Sequence, residues 1–198
     1  VESMTRVPMF SNVTLHQKAG LGIGPFSDRI AQRFGTRDFS QFKGADMIAR
    51  KHGFNRETLD RYALESHRRA LAATESGAFE DEIVPLAIEG GMHSRDEGIR
   101  ADASYEGIAG VKLLEEGGVI SAANASQICD GAAGVLVVSE AALKRHGLTP
   151  KARIVNLTVT AGDPVIMLEE PLPATEKALK RAGMTLAEID LYEVNEAF

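Results

Sequence analysis

The sequence predicts an α/β protein in which a buried sheet lies between layers of helices. The main evidence is the order of elements after residue 128, where apolar runs alternate with short helical segments. The second observation is that the predicted secondary structure differs between the two halves. Residues 1 to about 120 contain helices and long polar connections with little strand character. This change predicts a domain boundary near residue 129.

Two helices are predicted in the first half. GADMIARKHG forms a short helix that ends at Gly53, and Asn55 caps the long helix RETLDRYALESHRRALAATESG, which stops at Gly77. One stripe at helical spacing predicts the packed face of the long helix: Leu59, Tyr62, Ala63, Ser66, Ala70 and Ala73. Residues 89 to 118 are rich in glycine and charge, which predicts a long excursion with weak regular structure. Loops of that length are often functional.

Three apolar segments in the second half are predicted strands: GAAGVLVV, ARIVNLTVT and IDLYEVN. Two predicted helices separate them. EAALKRH follows the cap Ser139 and ends at Gly147, and PATEKALKRAG has Pro173 in its first turn and Gly183 at its end. Ligands of such sheets bind beyond the carboxyl ends of the strands, where Asn195 is placed. The alternative interpretation is that Asn195 caps a following helix.

Composition narrows the possible partners. The chain has 198 residues, of which 44% are hydrophobic, and a formal net charge of -6. No stripe of Lys and Arg interleaved with aromatic residues is present, so nucleic acid is not an expected partner. The longest apolar run, at 132–138, is far shorter than the roughly 20 residues that span a bilayer. VESMTRVP lacks the features of a signal peptide, and we expect a soluble, cytoplasmic protein without a membrane partner.

Neither a metal site nor a cofactor motif is predicted. The five histidines show no metal-ligand spacing, and the chain contains no GxGxxG, P-loop or GxSxG sequence. The single cysteine, Cys129, precedes an apolar predicted strand and has no histidine near it in sequence. We therefore expect Cys129 to be buried and inert rather than a nucleophile.

An ordered set of motifs covers essentially the whole chain. VESMTRVP lies at the start, ISAANASQICDGAAGVLVVSEAALKRHG in the middle and DLYEVNEAF at the end. GAFEDEIVP, DEGIR ending at Arg100, and AGDPVIM with Met167 add further matches. By these motifs the chain resembles the thiolases, enzymes that make or cleave 3-ketoacyl-CoA.

The resemblance implies a layered αβαβα fold, incomplete here, with an inserted and mostly helical loop domain. On this template residues 1–10 end the N-terminal half, and residues 11–128 form the loop domain that covers coenzyme A. Residues 129–150 supply the last strand and helix of the N-terminal half, and residues 151–198 begin the C-terminal half. Strands that have lost neighbours are then expected to leave apolar faces that associate or aggregate.

The resemblance also implies nucleophilic catalysis. A cysteine thiolate takes the acyl group, a second cysteine acts as acid and base, and a histidine and an asparagine-held water stabilise the oxyanion. Asn195 corresponds to that asparagine, whereas the motifs for the two cysteines and the GHP histidine lie outside the 198 residues. We expect the parent protein to cleave 3-ketoacyl-CoA by thiolysis or to run the reverse Claisen condensation, and the 198 residues alone to be inactive.

Two other functions are alternatives to this one. A non-catalytic acyl-CoA-binding module of thiolase-like fold is the main alternative, because such a module needs the coenzyme A cover and not the cysteines. A condensing synthase of related fold is disfavoured, because such enzymes do not pair NEAF with NAS as this chain does.

Coenzyme A and acyl-CoA are expected as substrates, with no separate cofactor. The resemblance places Arg100 near the adenine and phosphate end and lets Ser126 hydrogen-bond the pantetheine. The implied lining of the tunnel towards the thioester is Ala122, Ile128, Met167, Ala197 and Phe198. These types suit a long amphipathic ligand, although plain core packing is an alternative for Met167 and Phe198. The parent is expected to be a homo-oligomer, a dimer or tetramer, in fatty acid β-oxidation.

Two positions depart from the family pattern. FSQFKGADMIA carries Ser40 and no histidine where many short-chain thiolases have one, which favours a degradative enzyme with a less restricted acyl chain. SAANAS has Ala123 where the family usually has glycine. If that position requires a positive φ, alanine costs about 1 kcal/mol there.

Overall fold

The computed structural model describes residues 1–22 and 24–198, which divide into two compact units. The first unit contains Val1–Phe39 and Ile128–Asn195, and the second contains Ser40–Gln127 and Glu196–Phe198. One boundary therefore lies beside the predicted one near residue 129, whereas residues 11–39 group with the first unit. The four-part division implied by the resemblance stays a prediction, and Ile23, within its loop domain, lies outside the described residues.

Helices dominate the described residues, and their bounds are as follows. The α-helices are α1 Ser11–Ala19, α2 Asp28–Phe34, α3 Gln41–His52, α4 Arg56–Glu75, α5 Tyr105–Ala109, α6 Glu140–His146 and α7 Pro171–Ala182. The strands are β1 Leu86–Ile88 and β2 Gly91–His93, and a 3-10 helix covers Leu186–Glu188.

The predicted helices α3, α4 and α6 are confirmed, although α3 begins at Gln41, before the predicted segment GADMIARKHG. Gly53 is the C-cap of α3, as predicted. The side chain of Asn55 accepts from the backbone N–H of Thr58 at 2.9 Å and so caps α4. Ser139 caps α6 in the same way, through the N–H of Ala142 at 3.2 Å.

Helix α7 is also confirmed, with an earlier start than predicted. It begins at Pro171, so Pro173 lies within the first turn rather than at its opening. A proline there costs no hydrogen bond, because the first N–H groups of a helix have no intrahelical acceptor. The helix ends at Gly183, as the sequence predicts.

A small hairpin occupies part of the region predicted as irregular. β1 and β2 pair antiparallel, with Leu86 opposite His93 and Ile88 opposite Gly91. Gly90 has a φ of 86°, a conformation that glycine adopts at low cost in the tight turn. Each strand has only three residues, too few for an alternating pattern to be recognised.

The three strands predicted in the second half are not formed in the described residues. Apart from an isolated bridge between Glu2 and Gly131, the segments 131–138, 152–160 and 189–195 carry no strand pairing. A strand requires a neighbouring chain to satisfy its backbone groups, and the described residues provide none for these segments. Their apolar side chains are consequently exposed, with Val135 at 89% and Leu157 at 80%.

All buried residues of the described chain lie in the second unit. The buried apolar side chains are Ala45, Ala49, Ile108 and Ile120. On α4, however, the predicted stripe is only half-buried at best, with Tyr62 and Ser66 exposed. The one buried residue of α4 is Asp60, which is 0% exposed. The residue that α4 buries completely is therefore a charged one and not a member of the predicted apolar stripe.

Candidate functional site

The EAF residues that follow Asn195 pack within the second unit. The backbone N–H of Ser126 donates to the carbonyl of Ala197 at 2.9 Å. The ring of Phe198 meets that of Phe42 edge to face, with 5.5 Å between centroids. These contacts bring together three residues predicted from the resemblance, namely Ser126, Ala197 and Phe198.

A third contact to the same segment is electrostatic. The hydroxyl of Tyr62, on α4, donates to the carboxylate of Glu196. This hydrogen bond raises the pKa of Tyr62, and partial desolvation and the negative charge of Glu196 act in the same direction. The sequence placed Tyr62 on the packed stripe of this helix but did not predict its contact with Glu196, because a tyrosine on a helix gives no indication of a partner far along the chain.

The loop at 119–126 is held by its own side chains. The side chain of Asn124 accepts from the N–H of Ser121 at 2.8 Å and donates to the carbonyl of Val119 at 3.1 Å. The hydroxyl of Ser121 accepts from the N–H of Ala123 at 3.2 Å. Ser121 and Asn124 are buried, whereas the predicted ligand residues Ala122 and Ser126 are exposed. One side of the loop is therefore fixed by hydrogen bonds, and the other side is accessible to a ligand.

Ala123 does not carry the strain considered from sequence. The described non-glycine residues with positive φ are Phe10 and Met167, and Ala123 is not among them. Alanine is therefore accommodated without a left-handed penalty.

Arg100 lies in the second unit, at the end of a segment that is hydrogen-bonded to His67 and Gln127. Its backbone N–H donates to Nδ1 of His67 at 3.2 Å, and its side chain is exposed. Two residues earlier, the carbonyl of Gly98 accepts from the side-chain amide of Gln127. Since Gln127 follows Ser126 directly, the Arg100 segment and the Ser126 loop are neighbours.

The other predicted site residues, Asn195, Ile128 and Met167, belong to the first unit. Asn195 and Ile128 are exposed. Met167 is half-buried, with a φ of 40°, and its N–H donates to the carbonyl of Asp163 at 3.0 Å. Left-handed backbone in a methionine is strained, and such strain often marks functional positions.

A cavity of about 280 Å³ adjoins Met167. Four of the side chains that line it are acidic: Asp163, Glu169, Glu170 and Glu176. An acidic lining repels an anionic ligand, so this cavity does not match the apolar tunnel expected for an acyl chain. The role of Met167 in such a tunnel stays a prediction.

Within the first unit, the motif at the start of the chain meets the one around residue 130. Glu2 and Gly131 exchange backbone hydrogen bonds at 2.7 and 3.2 Å. The hydroxyl of Thr5 donates to Asp130 at 2.6 Å, and this bond is the main cause of the lowered pKa of Asp130. Two of the ordered motifs thus lie side by side.

Cys129 was expected to be buried and is instead an exposed free thiol. The expectation assumed a sheet around the segment that follows, and in the described residues that segment has no strand neighbours to cover the thiol.

Residues 1–22 and 24–198 lack two kinds of feature. No group of three or more His, Cys, Asp or Glu residues in this part of the chain is arranged to hold a metal ion. None of the helices described there has both the length and the apolar character needed to cross a membrane.

Family models match nearly the whole chain. The model described as "Thiolase, N-terminal domain" matches residues 1–141, and "Thiolase, C-terminal domain" matches residues 148–198.

Curated relatives are similar over the full chain. Steroid 3-ketoacyl-CoA thiolase FadA6 of Mycobacterium tuberculosis is 44% identical over 200 residues, covering 100% of this chain and 49% of the relative. The 3-ketoacyl-CoA thiolase of an Enterobacter species is 39% identical over 205 residues, covering 100% and 50%. The chain therefore spans about half the length of the curated relatives it matches.

Solved structures agree with the sequence comparison. Human mitochondrial 3-ketoacyl-CoA thiolase in complex with CoA is 41% identical, with a TM-score of 0.76 over 79% of this chain and 40% of that one. The acetyl-CoA acetyltransferase of Bacillus anthracis is 37% identical, with a TM-score of 0.76 over 90% and 47%. The α/β fold class predicted from sequence is confirmed as the thiolase-like fold, and the chain belongs to the thiolase family.

Proposed function

We propose that this chain is part of an acetyl-CoA C-acyltransferase that moves acyl groups between coenzyme A thioesters. The observation that carries the proposal is the match of the entire chain to relatives named 3-ketoacyl-CoA thiolase, at 44% identity in one case. The reaction is thiolytic cleavage of a 3-ketoacyl-CoA, or its reverse, the Claisen condensation, and coenzyme A enters as substrate rather than as a resident cofactor.

Asn195 is assigned the catalytic role that the family asparagine performs. It would hold a water that donates to the oxygen on which negative charge develops, either the enolate or the tetrahedral oxyanion. Preorganised donors of this kind stabilise the transition state by about 3 to 4 kcal/mol. An exposed asparagine is able to hold such a water, because its amide supplies both a donor and an acceptor.

The coenzyme A cover is assigned to the second unit. Ser126 would hydrogen-bond the pantetheine arm and Arg100 would lie near the phosphates. The hydrogen bond between Gly98 and Gln127 supports this pairing, because it keeps the Arg100 segment beside the Ser126 loop. The proposed tunnel lining in this unit is Ala122, Ala197 and Phe198. The proposed lining roles of Ile128 and Met167, which belong to the first unit, rest on the family resemblance alone.

Ser40 bears on the acyl chain. It caps α3 by accepting from the N–H of Lys43 at 3.5 Å, at the position where many short-chain members carry a histidine. A serine leaves more room than an imidazole there. We therefore infer a degradative enzyme of fatty acid oxidation with a broad acyl-chain range.

The 198 residues alone are proposed to bind and not to turn over. Their single cysteine, Cys129, is not assigned the nucleophile's role, and without an acylated cysteine the path has no covalent intermediate. The functional protein is proposed to be a homo-oligomer.

Thiolysis is the direct test of the proposal. The product of the complete reading frame is incubated with acetoacetyl-CoA or a longer 3-ketoacyl-CoA and free coenzyme A, and acetyl-CoA is quantified. Acetyl-CoA release supports the enzyme. Tight acyl-CoA binding without release would instead support the non-catalytic binding module. The 198-residue chain, assayed alongside, is expected to give no acetyl-CoA.

A further inference from the structure

Helix α4 contains a completely buried carboxylate. Asp60 is 0% exposed, and both of its oxygens are hydrogen-bonded. Oδ2 accepts from Nε of Arg56 at 2.5 Å, and Oδ1 accepts from the side-chain amide of Asn124 at 3.0 Å. A buried ion pair of this kind contributes little net stability compared with apolar packing. Its presence therefore favours a role in fixing a particular geometry.

Arg56, which pairs with Asp60, also contacts the loop at 119–126. One of its terminal nitrogens lies within hydrogen-bonding distance of three oxygens: the carbonyls of Ile108 and Val111, both at 3.1 Å, and the hydroxyl of Ser121 at 3.3 Å. Asp60 and Arg56 thus contact the two buried side chains of the loop, Asn124 and Ser121. The same two side chains hold the backbone of residues 121–124 through the bonds described above.

A second buried aspartate holds the loop from helix α3. Asp46 is 5% exposed, and its Oδ1 accepts from the N–H of Val119 at 2.7 Å. A Cβ on Gly118 would come within 2.5 Å of the other carboxylate oxygen, so a larger residue there would displace the Asp46 carboxylate. Two helices therefore place one buried carboxylate each against the start and the middle of the same loop.

We propose that Asp60 and Arg56 are positioning residues for coenzyme A: they set the backbone of residues 121–126 so that Ser126 meets the pantetheine arm. The inference rests on the proposed function, which assigns Ala122 and Ser126 to the ligand. This role explains why charge is buried here. The buried groups hold the buried side of the loop, and a loop that binds a ligand on its exposed side needs such a rigid support. The Ser126 to Ala197 hydrogen bond extends this support to residues 196–198.

Asp60→Asn is the first test variant. It keeps an acceptor for Asn124 but removes the charge that pairs with Arg56. The product of the complete reading frame is titrated calorimetrically with coenzyme A and with adenosine 3′,5′-bisphosphate, the part of coenzyme A that lacks the pantetheine arm. We expect roughly tenfold weaker binding of coenzyme A, the effect of one or two misplaced hydrogen bonds, and unchanged binding of the bisphosphate.

Two further variants complete the design. Glu57→Gln is the matched control, because Glu57 is an exposed acid on the same helix that pairs only with Arg61 in the described contacts. It should leave both affinities unchanged. Ser121→Ala is a milder change that removes one acceptor of Arg56 and of the Ala123 N–H, and it tests the same prediction if Asp60→Asn fails to fold.

Hydrogen exchange gives a readout that needs no ligand. In Asp60→Asn and Ser121→Ala the amides of residues 121 and 123 should exchange faster than in the unmodified chain.

The outcomes separate the inference from the function on which it rests. Coenzyme A affinity that is unchanged in the folded variants, or an equal loss for both ligands, would overturn the positioning role. Failure of the unmodified product of the complete reading frame to bind coenzyme A would overturn the proposed cover itself, and the inference with it.

Discussion

Ser126 and Ala197, far apart in sequence, are joined by a backbone hydrogen bond of 2.9 Å. The loop that follows Asn124 and the EAF segment that follows Asn195 therefore share one local structure. In the proposed enzyme this bond would hold the residue that contacts pantetheine in register with two residues of the tunnel.

Ser126→Pro and Ser126→Ala separate the backbone of Ser126 from its hydroxyl. Proline removes the N–H that donates to the carbonyl of Ala197, so we expect a loss of about 1 kcal/mol in the free energy of unfolding. Alanine keeps the N–H, so stability should change by less than about 0.5 kcal/mol while coenzyme A binding weakens. Denaturant unfolding of both variants is the measurement. Equal stability of the two would show that the bond contributes nothing.

Tyr62 is expected to make stability depend on alkaline pH. Its pKa is raised in the folded chain, mainly by the hydrogen bond to Glu196, so the folded state holds the phenolic proton more tightly. The stabilisation is fully present below the ordinary tyrosine pKa of about 10 and is lost as pH rises through the higher folded value.

The free energies of unfolding of the unmodified chain and Tyr62→Phe should consequently converge at alkaline pH. Tyr192→Phe is the control, because Tyr192 donates to the carbonyl of Leu186 and has no carboxylate partner in the described contacts. A Tyr62→Phe difference that stays constant with pH would contradict the raised pKa.

At position 167 a glycine variant should be more stable than an alanine variant, which is the reverse of the usual order. Its φ of 40° penalises any side chain, so Met167→Gly should be more stable than Met167→Ala by about 1 kcal/mol. At the neighbouring Ile166, which has no positive φ, glycine should be less stable than alanine. Thermal or denaturant unfolding of the four variants decides the matter, and a more stable Met167→Ala would exclude strain at this position.

The isolated chain is expected to self-associate. Val135, Leu157 and Leu191 are 89%, 80% and 88% exposed, in segments whose backbone has no strand partner in the described residues. Exposed apolar segments with unpaired backbone tend to pair with a second copy. Sedimentation velocity should show dimers or larger species that grow with concentration. A monodisperse monomer that melts cooperatively would count against this expectation.

The sequence was sufficient for the features that depend on neighbouring residues. Asn55 and Ser139 cap their helices as predicted, because capping involves bonds to residues only three positions away. The family itself was evident from ordered motifs. These features require no knowledge of what lies across the fold.

Features that depend on distant partners were missed or wrong. Apolar segments such as 132–138 are typical of strands, but forming a strand requires a hydrogen-bonded neighbour that the described residues do not supply. Aspartate is rarely buried unless it is paired, and the partner of Asp60, Asn124, is far along the chain. The burial of Asp60 was therefore not predicted. The contact of Tyr62 with Glu196 was missed for the same reason.

Asn195 offers the most direct measurement of the central claim that this chain belongs to an acyltransferase and carries its oxyanion residue. Thiolysis of a 3-ketoacyl-CoA is measured for the product of the complete reading frame, for Asn195→Ala and for the control Glu193→Gln, an exposed neighbour. The account predicts that Asn195→Ala lowers kcat by about 100-fold or more, while Glu193→Gln turns over like the unmodified enzyme. Turnover by Asn195→Ala at the unmodified rate would contradict it.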